Sequence, residues 1–77
     1  MKAYVLIKLQ TGEIVEALHQ LRRLKGVVSA DMTFGPYDAV ATIEAPDLKS
    51  VGQVVAADIQ PVIGVLDTLT CLVVDVE

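Results

Sequence analysis

Few side chains in this chain are equipped for chemistry: one histidine, one cysteine, three aromatic rings and no tryptophan. A lone Cys71 cannot form an internal disulfide, and one histidine with one cysteine is a poor start for a metal cluster. Nucleophilic catalysis needs a nucleophile held beside a base. His19 lies next to an apolar helical stripe and reads as a boundary residue. Cys71 lies in an apolar run and reads as a small buried hydrophobe. Asp75 and Glu77 close the chain and are expected to face water. No nucleophile elbow, phosphate loop or dinucleotide fingerprint occurs. What remains is the stretch FGPYDAVATIEA, residues 34–45. A Gly-Pro turn there carries Tyr37 and Asp38. A hairpin loop leaves backbone N–H groups around Gly35 unpaired, glycine permits close approach, and Asp38 accepts hydrogen bonds from an ammonium group. Such a loop is suited to holding both ends of an amino acid. Gly-Pro-Tyr-Asp is also ordinary turn chemistry, and residue types alone leave both readings open.

The elements that must position this loop follow from periodicity. Residues 3–9, AYVLIKL, alternate and predict a first strand. QTGE leads into a helix, with Thr11 as candidate N-cap and Ile14, Ala17, Leu18, Leu21 and Leu24 on its apolar face. Gly26 is expected to end it as the C′ glycine. Residues 27–34 alternate as a second strand, placing Val28, Ala30, Met32 and Phe34 on one face. After Gly35-Pro36, residues 38–45 form a third strand, hairpin-paired with the second. Pro46 stops it and Asp47 caps a second helix through Leu48, Val51, Val55 and Ile59, ending near Pro61. Residues 65–76 form a last strand. LKGVV and VIGVL echo each other about half the chain apart.

The order βαββαβ implies an α+β, ferredoxin-like fold: a four-stranded antiparallel sheet with both helices on one face. Seventy-seven residues allow a single domain, 1–77, with a marginal core. The other sheet face should then be polar, yet Tyr4 and Leu6 oppose Val5, Ile7 and Leu9 in the first strand. The last strand sets Leu69, Cys71 and Val73 against Leu72, Val74 and Val76. Apolar residues on both faces imply a homodimer packed sheet to sheet, as in dimeric α/β-barrels.

Charge narrows the partners. The net charge of −4 and pI near 4.7 oppose a nucleic-acid surface. Arg22, Arg23 and Lys25 gather at one helix end, where they complement its dipole. No apolar run approaches the ~18 residues of a membrane span, and no signal peptide opens the chain. A free thiol without a signal fits the cytoplasm.

Phe34-Gly35-Pro36-Tyr37-Asp38 followed by an alternating strand resembles the Gly-x-(Tyr/Phe)-Asp hairpin of the Lrp/AsnC family's effector-binding RAM domain. LKGVVSADMTFG resembles that domain's passage from a helix-ending Pro-Gly-Val into strand two. IGVLDTLTCLVV resembles its final Gly-Val-x-x-(Thr/Ser)-x-Thr strand. The likeness spans nearly the whole chain. No helix-turn-helix precedes it, so it resembles a stand-alone module. Pro36 stands where the family often has an acidic residue, and Lys25 and Ile63 replace the proline before each glycine. The resemblance implies a non-catalytic amino-acid-binding and oligomerisation module without cofactor. Dimers would assemble into rings, often octamers. The module would act on transcription through full-length regulators, not on DNA directly. Carried over by position, the effector site falls at Gly35, Tyr37 and Asp38, with Thr68 and Thr70 on the last strand, between dimers.

Two other functions share this topology: a small dimeric α/β-barrel enzyme of monooxygenase or isomerase type, and an ACT-like amino-acid-binding domain. The enzyme needs a positioned acid or base in a closed pocket, for which the chain offers few candidates.

Overall fold

The computed structural model describes residues 1–76, so the expectation for Glu77 lies outside the described residues. Its elements are β1 (Lys2–Leu9), α1 (Ile14–Arg23), β2 (Val27–Met32), β3 (Ala39–Glu44), α2 (Leu48–Gln53) and β4 (Val65–Leu72). A π-helical turn, Val54–Ile59, continues α2. The strands form one antiparallel sheet in the order β2-β3-β1-β4. This is the ferredoxin-like arrangement that the periodicity predicts.

The alternation of β1 sorts its side chains. Ala3, Val5, Ile7 and Leu9 are buried, while Tyr4 and Lys8 are exposed. The buried set meets Ala39, Ala41 and Ile43 of β3 on the helix side, under Ala17, Leu18 and Leu21 of α1 and Val51, Val55 and Ile59 of the second helix. Ile7, Leu21, Ile43 and Ile59 are wholly buried, each contributing about 1.5–3 kcal/mol by the area rule.

The LKGV/VIGV echo is one turn used twice. Val27 N–H donates to Leu24 O at 3.2 Å, and Val65 N–H to Val62 O at 3.1 Å. Gly26 (φ +95) and Gly64 (φ +96) hold the third positions, where a type II turn requires positive φ. Gly26 is therefore not the C′ residue of α1. The helix stops at Arg23, Leu24 is already extended, and the glycine serves the turn two residues on.

Other expectations are corrected. A tight turn, Glu13 N–H to Gln10 O at 3.0 Å, delays α1, so Glu13 and not Thr11 sits at the N-cap, without a side-chain cap bond. A register shift between Val27 and Ser29 sets Val27 opposite Ile43 and turns Val28 out, 61% exposed. Val27, not Val28, packs on the core. The second helix widens because Val51, Val55 and Ile59 recur every four residues. A 3.6-residue helix would rotate that stripe by about 40° per step. The π turn, with Gln60 N–H on Val55 O at 2.9 Å, keeps all three in the core. Leu48 is exposed and lies off the stripe. Arg22 does more than meet the helix dipole: its Nε donates to Ala30 O at 2.8 Å and ties α1 to β2. Among the described residues no helix is long and apolar enough to cross a membrane.

Candidate functional site

The hairpin between β2 and β3 is closed by the chain's own bonds. Thr33 N–H donates to Asp38 O at 2.9 Å, and Asp38 N–H to Ile7 O at 2.9 Å. Thr33 Oγ1 donates to Tyr37 O at 2.8 Å. Lys8 reaches from the free face of β1 to donate from Nζ to Pro36 O at 3.1 Å. The Asp38 carboxylate accepts from Leu9 N–H at 2.8 Å through Oδ2. The Ile7–Ala39 pair ends the β1–β3 backbone pairing, and Asp38 supplies with its side chain the acceptor that the departing strand no longer offers.

These bonds brace a loop whose tip donors are not used within it. Among the described residues, no intrachain hydrogen bond engages the N–H of Phe34, Gly35 or Tyr37, or Asp38 Oδ1. Gly35 has φ +150, with open space where a Cβ would stand. Tyr37 is half-buried, and Phe34 is wholly exposed. Gly35, Tyr37 and Asp38 thus lie together on one hydrogen-bonded loop.

Thr68 and Thr70 do not join them within the chain. They sit on the edge strand β4, opposite Ile7 and Val5, with β1 between them and β3. Two strand spacings, about 9–10 Å, separate the Thr68 backbone from Ala39. Both threonines lie on the helix side of the sheet, where Thr68 Oγ1 accepts from Gln60 Nε2 at 3.1 Å. Sequence reasoning passed over Lys8 and Thr33 as braces of the loop. Lys8, on the outward side of an alternating strand, was the available signal.

Cys71 corrects another expectation. It pairs with Tyr4 on the free face and is exposed, not buried. Leu69 stands beside it, opposite Leu6, and is 48% exposed. Leu72 pairs with Ala3, so it belongs to the helix side, and β4 ends there, short of 76. The Lys2 ammonium lies 5.4 Å from the centre of the Tyr4 ring, a cation–π distance.

These residues build a small βαββαβ domain with a braced β2–β3 loop. A family model, Lrp/AsnC ligand binding domain, matches residues 2–76, and the chain belongs to that family. A search of the curated proteins found no match. Among solved structures, TTHA0845 from Thermus thermophilus is similar at 28% identity and TM-score 0.92, over 99% of this chain and 95% of that one. E. coli AsnC is similar in fold at 23% identity and TM-score 0.89, over 96% of this chain and 50% of that one. The transcriptional regulator NMB0573 from Neisseria meningitidis, solved as a complex with L-Met, is 17% identical with TM-score 0.85, over 97% and 50%. The chain spans about half the length of these two regulators.

Proposed function

We propose that this chain is a non-catalytic amino-acid-binding and oligomerisation module that modulates amino-acid-responsive transcription through full-length relatives. The observation that carries the reading is the braced hairpin. Among the described residues, it leaves the N–H groups of Phe34, Gly35 and Tyr37 and Asp38 Oδ1 without an intrachain partner, donors that suit a carboxylate and an acceptor that suits an ammonium. Family membership and the L-Met complex of a regulator with the same fold support an amino acid as effector. Membership in a family of regulatory ligand-binding domains also favours binding over catalysis, and Lrp/AsnC over ACT-like assembly. The net charge of −4 opposes direct action on DNA, which leaves action through full-length relatives.

The free sheet face, with Tyr4, Leu6, Val40, Leu69 and Cys71, joins two chains, and dimers assemble into a ring. Thr68 and Thr70 then complete the hairpin site from a neighbouring copy. The test is calorimetry across the twenty amino acids, repeated on Asp38→Asn. Asparagine keeps an oxygen for Leu9 N–H and removes the charge. Binding of at least one amino acid, weakened about tenfold by Asp38→Asn, is the expected result, at ~1.4 kcal/mol per decade. No binding of any amino acid overturns the ligand half of the reading. Unchanged binding in Asp38→Asn reduces the carboxylate to its bond with Leu9.

A further inference from the structure

At the end of the sheet opposite the hairpin, an open groove of about 530 Å³ runs between the Gly26 turn, the end of β3 and the second helix. Its volume falls within the usual range for small-molecule sites, about 300–1,000 Å³. Gly26, Pro46 and Val54 line it with apolar surface, and Lys25, Glu44 and Asp58 bring charge. Among the described residues, no hydrogen bond or ion pair within the chain engages the Lys25 ammonium or the Glu44 and Asp58 carboxylates.

Two features show that the groove is built by the fold. The Gly26 turn packs so close to the second helix that a Cβ on Gly26 would stand 3.1 Å from Val54 Cγ2. The helical wall joins α2, through Ser50 and Gln53, to the π turn, which carries Val54 and Asp58 at the groove while Val55 and Ile59 go to the core. Such turns are rare and frequent at functional sites.

We propose that this groove is a second ligand site, separate from the hairpin, and that it takes a basic amino acid. Two carboxylates and one ammonium are complemented by a ligand with two cationic groups and one carboxylate. Glu44 and Asp58 receive the two cations, Lys25 receives the carboxylate, and the ligand's methylenes lie on Pro46 and Val54. A neutral amino acid of the same length lacks one cation, and a diamine lacks the group that Lys25 reads.

Amide NMR of the full chain, titrated with L-lysine, L-norleucine and cadaverine, tests this. L-Lysine should move the amides of Gly26 and Val54. L-Norleucine should leave them in place, and cadaverine should move them with weaker affinity. Glu44→Gln and Asp58→Asn should each weaken L-lysine about threefold to tenfold at this exposed site. Lys25→Ala should abolish the preference for L-lysine over cadaverine. The proposal is overturned if L-lysine leaves the groove amides unmoved, or if L-norleucine moves them equally. It is also overturned if both carboxylate variants bind L-lysine as the parent does. The hairpin reading stands or falls separately, on amide shifts at Gly35 and Tyr37 and on Asp38→Asn.

Discussion

Asp38 carries a negative charge and a hydrogen bond to Leu9, and substitution can separate them. In Asp38→Ala the partly buried Leu9 N–H loses its 2.8 Å acceptor at the point where the β1–β3 pairing ends. An orphaned donor of this kind costs about 1–2 kcal/mol. Urea unfolding should show that loss for Asp38→Ala and little for Asp38→Asn. Equal stability of all three proteins would mean that water serves Leu9 as well as the carboxylate does. The comparison also governs how binding data are read. Weak binding in Asp38→Ala alone reports a misplaced loop, whereas weak binding in Asp38→Asn reports the charge. The loop itself was legible in the sequence, because Gly-Pro between two alternating runs marks a hairpin. The engagement of Asp38 was not, since Leu9 lies 29 residues away and meets it only through strand register.

The twin glycine turns predict unequal costs for the same substitution. Both Gly26 and Gly64 hold positive φ, which costs a non-glycine residue about 1–2 kcal/mol. An added Cβ at Gly26 meets a Val54 methyl at 3.1 Å, a side-chain end that can shift. At Gly64 it would stand 2.7 Å from Glu13 Cβ, near the helix backbone, and Gly64 O also accepts from Gln10 N–H. Gly64→Ala should therefore destabilise more than Gly26→Ala, by about 1–3 kcal/mol of further overpacking. Thermal unfolding of the two variants checks the order. Asp47 gives the second helix a pH dependence. Its carboxylate accepts from Ser50 N–H at 2.8 Å, and that bond holds its pKa below the ordinary aspartate value. A depressed folded pKa means the stabilisation is complete above the ordinary value and lost as pH falls through the lower one. Amide exchange in α2 should quicken in that acid window, and less so in Asp47→Asn, which caps without titrating. Element order was legible because periods of 2 and 3.6 alternate along the chain. The bulge at Val28 and the π turn were not. Each is a one-residue adjustment that lets a neighbouring apolar side chain reach the core, and only the packed structure shows which side chain wins.

The sheet's two faces set the last prediction. Helices cover one face, while the other displays Tyr4 at 39% and Leu69 at 48% exposure, with Leu6 of β1 between Leu69 and Val40. Apolar alternation on both sides of β1 and β4 made this legible. It did not tell which residues of β4 face outward, because the β1–β4 register was needed to put Leu69 and Cys71 there and Leu72 on the helix side. If the free face is the dimer contact, Leu69→Glu is the discriminating variant. Leu69 is half exposed in the single chain, so a carboxylate there leaves the monomer's core untouched. In the dimer it would be stripped of water against the partner's apolar face, which a charge resists strongly. Sedimentation should show the parent as a dimer or larger, and Leu69→Glu as an 8.2 kDa monomer with unchanged circular dichroism. Leu72→Glu, on the opposite face, should leave the assembly intact. A parent that sediments as a monomer would end the dimer reading, and a Leu69→Glu variant that stays assembled would move the contact away from this face. The ring and its shared hairpin site would then need another geometry.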